Sequence, residues 1–413
     1  MQPFRSYPRI ALTLFSLACA SLFAQQHSPL FNPLFSFNGS NGSHPNCVLV
    51  SDPVGDLYGT ALGGTSGYGV VFRLSPLPNG SWVETVLYNF TGKTDGAEPG
   101  AGLVFDTGGA LYGVIFAGGA YNYGGIFQLK PPPSPGGAWT ESVLYSFNGR
   151  TYGSNPHAPL VFGRNGGLYG VAAGGATGYG VAFQLLPGAN GAPWTLNVLH
   201  AFTGGGDGAT PAGALVLGPG GVLYGMTNIG GAYNAGSIYQ LTPPTQMGGA
   251  WTESVLYSFK MGADGVFPLG GLVAGTNGSL YGTTTEGGNL GSGTVFQLKP
   301  PTVPGGAWTE SVLYSFRNGT DGANPTGSMV FGVDGSLYGT TVWGGTQNSG
   351  TIFEIAPQPS GGPWTETNLY SFTGGSDGKN PQYGAIFAKN GALYGTTQYG
   401  GNANYGTIFQ LTP

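Results

Sequence analysis

Seven Gly-Gly pairs each follow a residue that varies while its neighbours repeat: Leu62, Ala117, Ala173, Ile229, Glu286, Trp343 and Tyr399. The last three place an acid and two aromatics in consecutive copies, and Trp343 is the one tryptophan outside a repeating series. These residue types suit a sugar, because aromatic rings stack on the apolar face of a pyranose while a carboxylate accepts from its hydroxyls. Tyr121, Tyr123, Tyr233 and Tyr405 fall in the same loops and extend the candidate surface. The competing reading is that all of them pack beneath neighbouring loops or line a central channel.

A second series is Asp-Gly, at Asp95, Asp207, Asp264, Asp321 and Asp377, with Tyr152 replacing the aspartate in one copy and Asn41 near that place in another. A ring of carboxylates is hard-oxygen chemistry that calcium takes. The same pattern arises when Asp caps its own turn and Gly supplies positive φ. One carboxylate per copy is no multi-oxygen cage, so the turn role is expected, with calcium the one ion in view. The Gly-Gly pairs are not phosphate loops, since no helix N-terminus follows them.

Catalysis is harder to place. Glycoside hydrolysis commonly needs two carboxylates, and Glu286 is the lone non-repeating acid in these loops, although Asp264 or Asp321 could partner it. Glu84, Glu141, Glu253, Glu310 and Glu366 recur once per copy, whereas a catalytic acid is needed once. His27, His44, His157 and His200 show no metal-ligand spacing. The expectation is a non-catalytic protein with no catalytic residue to name; a carbohydrate-active hydrolase or lyase is the lesser alternative.

The elements that must carry these loops are short strands. Leu-Tyr-Gly recurs with its tyrosine at Tyr58, Tyr112, Tyr169, Tyr224, Tyr281, Tyr338 and Tyr394, and a tryptophan recurs in phase at Trp82, Trp139, Trp194, Trp251, Trp308 and Trp364. Each copy reads as four strands, A to D. Strands A and B are joined by Asn-Gly or Asp-Gly, as at Asn165-Gly166, Asn277-Gly278, Asp334-Gly335 and Asn390-Gly391, which predicts two-residue type I′ turns. In strand D, two-residue alternation puts Trp251, Val255, Tyr257 and Phe259 on one face and Thr252, Ser254 and Ser258 on the other.

A four-stranded sheet of this size cannot hold a core alone, so each must bury its faces on its neighbours. The expected fold is all-β: a seven-bladed β-propeller with four antiparallel strands per blade. Leu34-Phe35-Ser36-Phe37 is a D-type strand with no copy before it, and the last copy stops after its C strand, Gly406 to Leu411. The N-terminal strand is therefore expected to complete the last blade and close the ring. In such a meander the D-to-A and B-to-C loops share one face, and function is expected there.

Few charges and good helix formers, set against 81 glycines and 54 aromatics, fit this reading, and the aromatics argue against disorder. A formal charge of −5 with no basic patch excludes nucleic acid as a natural partner. Residues 1–24 read as a signal peptide, with Arg5 and Arg9 ahead of an apolar run too short for a membrane span, and cleavage after Ala20 or Ala24. Residues 25–33 are expected to be a linker and 34–413 the propeller. Cleavage leaves Cys47 as the sole cysteine, so no intrachain disulfide is expected. The product is expected to be exported, periplasmic or extracellular, monomeric, and to bind polysaccharide or an envelope protein.

The pattern LYGTTxxGG…GTVFxLxP…WTExVLYSFxGGxDGxxP, spread over Leu34 to Pro413, resembles the GloVer (Gloeo/Verruco) tandem repeat of bacterial export proteins. The resemblance implies an exported, propeller-like protein and supplies no catalytic residues. Some members carry a C-terminal sorting anchor; this chain ends at Pro413 on its last expected strand, which implies release or retention by other means.

Overall fold

The computed structural model describes residues 28–134, 136–246, 248–303, 305–359 and 361–413. The expected signal peptide, its cleavage positions and His27 lie outside the described residues. The chain forms seven sheets, each built on four antiparallel strands, and the second blade's sheet carries a fifth short strand, Cys47–Val48, paired in parallel with Ala97–Phe105. Blade 1 comprises Val50–Ser51, Leu57–Ala61, Val70–Pro76 and Trp82–Asn89. Blade 6 comprises Val330–Phe331, Leu337–Thr341, Thr351–Ala356 and Thr365–Ser371. Blade 7 takes Ala385–Phe387, Leu393–Thr397 and Thr407–Thr412 from the end of the chain, and Leu30–Ser36 from its beginning. Two single turns, Ala189–Gly191 and Pro219–Gly221, are the only helices among the described residues.

Leu-Tyr-Gly is a packing device. Its glycine lies directly across from a strand-C aromatic, as Gly59 does from Phe72 and Gly339 from Phe353. A Cβ on these glycines would lie 2.6 and 2.5 Å from the opposing ring, so only glycine lets the ring lie on the sheet. The rings are fully buried, and each contributes roughly 2–3 kcal/mol of burial. The core is not inside any blade. Seven apolar clusters each draw on two adjacent blades, for example Tyr281 and Val295 of blade 5 with Leu337, Phe353 and Ile355 of blade 6.

The A–B turns differ from the expected type I′. Only the glycine has positive φ (Gly166, 74°), Asn165 does not, and the bonds Gly163 N–H to Gly167 O and Gly166 N–H to Gly163 O close a three-residue loop. This is a type I turn followed by a left-handed glycine. The asparagine favours it, since Asn165 Oδ1 accepts from Gly167 N–H, and Asn277, Asp334 and Asn390 reach two residues on in the same way.

Strand D also departs from simple alternation. Val255 pairs with Tyr239 and Tyr257 with its neighbour Ile238, so a bulge at Leu256 interrupts the ladder. Trp251 joins the core shared with blade 3, whereas Leu256, Tyr257 and Phe259 join the core shared with blade 5, and Val255 is left exposed. The same break recurs in every blade. One outer strand thereby addresses both neighbours.

The N-terminal strand starts at Leu30, four residues before the expected Leu34, and pairs from Leu30↔Thr412 to Ser36↔Thr407. Pro33 is accommodated because the strand lies at the outer edge of its sheet, where a missing N–H costs little.

Candidate functional site

D-to-A and B-to-C loops meet on one face, where short bridges join them residue by residue: Val266↔Glu286, Ala323↔Trp343 and Lys379↔Tyr399. The residue before each Gly-Gly therefore stands beside the residue after Asp-Gly. The two glycines turn the chain with both φ angles positive, 76° and 75° at Gly344 and Gly345, which lifts Trp343 out of the sheet. Trp343 and Tyr399 are exposed to 41% and 37%, and neither is among the residues lining the axial channel.

A contiguous patch runs over blades 6, 7 and 1. The Lys379 ammonium sits 5.7 Å from the centroid of the Trp343 ring and its backbone bridges to Tyr399. His44 lies edge-on to Tyr399 at 5.0 Å and to Tyr405 at 5.7 Å. Burial lowers the His44 pKa from its ordinary value, which favours the neutral ring. Glu286 is exposed, but among the described residues no hydrogen bond or ion pair links its side chain to the aromatics. Tyr121 and Tyr123 line a separate groove of about 480 Å³ with Arg150, and Tyr233 is exposed.

Sequence reasoning missed Lys379, His44, Tyr68 and Tyr179. The tyrosines had a signal: the residue before the glycine that opens strand C is Tyr68, Tyr123, Tyr179 or Tyr405 in four copies and Ala235, Ser292 or Ser349 in the others. Each ring lies against a D-to-A glycine, as Tyr123 does on Gly149, where a Cβ would come within 2.6 Å. Blades 7, 1, 2 and 3 thus present exposed tyrosines in succession, continuing the arc from Trp343.

The Asp-Gly carboxylates are engaged by their own turns. Asp377 accepts from Thr373 N–H (2.7 Å), Thr373 Oγ1 (2.5 Å) and the Tyr370 hydroxyl (2.9 Å). Asp95 and Asp207 accept from the equivalent groups, with His200 in place of the tyrosine at Asp207, and Asp264 and Asp321 accept from the equivalent backbone N–H and tyrosine hydroxyl. Among the described residues no group of three or more His, Cys, Asp or Glu side chains is placed to hold a metal.

The bulge in strand D then brings a glutamate of the next blade towards these pairs. Tyr314 Oη lies 2.9 Å from Asp321 and 3.5 Å from Glu366 Oε2. Glu141, Glu253 and Glu310 face Asp95, Asp207 and Asp264 in the same way, and burial, with the neighbouring aspartate charge second, pushes all four glutamates up to about 7. Glu84 reaches the same value by burial, against Asn41. Each of the five has a buried Oε1 without a hydrogen-bond partner.

The axial channel, about 230 Å³, is lined by small residues such as Gly213, Gly271 and Ala101, with His157 and Tyr383; no aspartate or glutamate lines it among the described residues. His157 Nδ1 lies 3.1 Å from Asn155 O.

Matches to the Gloeobacter/Verrucomicrobia repeat cover residues 19–218, 104–307 and 302–413 in tandem. No curated protein matches the sequence. Among solved structures, a protein of unknown function from Dyadobacter fermentans is similar at 13% identity and TM-score 0.43, over 82% of this chain and 96% of that one. An ulvan lyase is similar at 11% and 0.49, over 90% and 94%. An α-L-arabinanase from Penicillium chrysogenum is similar at 15% and 0.40, over 93% and 96%. No residue role is carried across from them.

Proposed function

The chain belongs to the Gloeobacter/Verrucomicrobia repeat family, and on that footing we propose that it is an exported, non-catalytic propeller that recognises extracellular or envelope polysaccharide through one loop face. The observation that carries the reading is the arc of exposed aromatics from Trp343 through Tyr399 and Tyr405 to Tyr68, Tyr123 and Tyr179. Consecutive blades repeat a flat apolar ring, as an extended glycan repeats a pyranose face, while Lys379 and Arg150 stand beside rings of the arc and donate hydrogen bonds to hydroxyl or acidic substituents. Glu286, at the end of this arc, accepts from hydroxyls.

The test is a thermal-shift screen of the purified protein against plant and bacterial polysaccharides. A ligand at 100 times its dissociation constant adds roughly 2.7 kcal/mol of stability. The shift should vanish in Trp343→Ala with Tyr399→Ala, and no polymer should be shortened. A product released from the glycan, or a shift indifferent to both substitutions, rejects the reading.

A further inference from the structure

We infer that the cleft between blades 6 and 7, on the face opposite the aromatic arc, is a binding site for a planar aromatic ring bearing an N–H donor. At six of the seven blade interfaces the tyrosine of Leu-Tyr-Gly packs against a strand-D tryptophan of the next blade. The pairs are Tyr58–Trp139, Tyr112–Trp194, Tyr169–Trp251, Tyr224–Trp308, Tyr281–Trp364 and Tyr394–Trp82, with centroids 5.9–6.4 Å apart. The seventh, Tyr338, has no such partner among the described residues. Registers align Leu30↔Thr412 with Thr365↔Ala356, so Pro29 occupies the place held by Trp364 in blade 6.

The place left open is a cleft of about 840 Å³, with Tyr338, Phe331, Phe387 and Leu369 as apolar walls and Pro29 at its edge. Phe387 stands edge-on to Tyr338 at 5.1 Å, as Phe331 does to Tyr281 at 5.2 Å. One side of the aromatic sandwich is therefore built and the other is missing.

A second departure falls at the same interface. Across from the repeat tyrosine, strand C carries Gln128, Gln184, Gln240, Gln297 and Gln410, and Arg73 in blade 1; blade 6 carries Glu354. Gln184 and Gln297 donate to the tyrosine hydroxyl. At Glu354 the bond reverses, Tyr338 Oη donating to Glu354 Oε1 at 2.9 Å. Glu354 lines the cleft with Asp334, and a carboxylate there accepts from an indole N–H or an ammonium, which a glutamine amide does less well. Six interfaces show the ring that suits this slot, and the seventh adds an acceptor for its donor. This site is independent of the proposed glycan face.

The test uses tryptamine as probe, titrated calorimetrically into the purified protein. Saturable 1:1 binding is expected. Glu354→Gln, which installs the residue of five other blades, should weaken it at least tenfold. Pro29→Trp should abolish it and raise the melting temperature, as the chain's own indole fills the slot. No saturable binding, or binding unchanged by Pro29→Trp in a protein that still melts cooperatively, overturns the proposal.

Discussion

Phe31 stacks face to face on Tyr370, with ring centroids 3.7 Å apart and planes 6° apart. By strand register Phe31 stands where Glu366 stands in blade 6, so the closing interface replaces a half-buried acid with a ring. Leu196 makes the same exchange at the interface where Tyr152 has replaced the aspartate. Five blades thus carry an acid at this position and two carry an apolar residue.

The acidic version makes stability depend on pH. Burial raises the folded pKa of Glu84, Glu141, Glu253, Glu310 and Glu366 to about 7, above the ordinary 4.5. Their contribution is then fully present below about 4.5 and is lost as pH rises through 7, because the folded state holds protons that the unfolded chain has released. The melting temperature should fall between pH 5 and 8. Replacing Glu141, Glu253, Glu310 and Glu366 with glutamine should flatten that fall, and an unchanged slope would show that these carboxyls are solvated.

The apolar version is a clasp. Phe31 also meets Phe372 edge-on at 5.5 Å and Phe409 at 5.8 Å. Phe31→Ala should cost about 2–3 kcal/mol, under the 3–5 of a fully buried ring because Phe31 is only partly buried. Chemical denaturation read by fluorescence measures it. The larger outcome would be a loss of single-step unfolding, with blade 7 opening first.

The Asp-Gly turns give a third expectation. Asp377 is 7% exposed and its removal leaves the Tyr370 hydroxyl and Thr373 N–H unpaired, so Asp377→Ala should cost about 1–3 kcal/mol. Calcium should not shift the melting temperature of the unaltered protein, since these oxygens already accept from their turns. A calcium-dependent shift lost in Asp377→Ala would restore the metal reading.

Much of this fold is legible in the chain because its causes are periodic. Tyrosine and tryptophan in phase locate six of the seven interfaces, and the unmatched Leu34–Phe37 run shows how the ring closes at the seventh. The bulge at Leu256 was invisible: residue types on strand D fit plain alternation, and only pairing to strand C reveals the slip that turns Glu253 and Tyr257 to opposite neighbours. The first residues of the closing strand, 30–33, lack the aromatic alternation that marks the other outer strands. At the candidate site Trp343 and Tyr399 stood out by type, whereas Lys379 and His44 acquire their meaning from loops brought together across blades.

The pairing of Leu30 with Thr412 sets an order on folding. These partners lie nearly four hundred positions apart, so the last ladder cannot form until Thr412 has been made, and contacts of such separation form slowly. Until then the strand Thr407–Thr412 has a bare edge of the kind that recruits strands from other chains. The nascent protein therefore depends on being kept apart from its own copies for as long as the ring stays open.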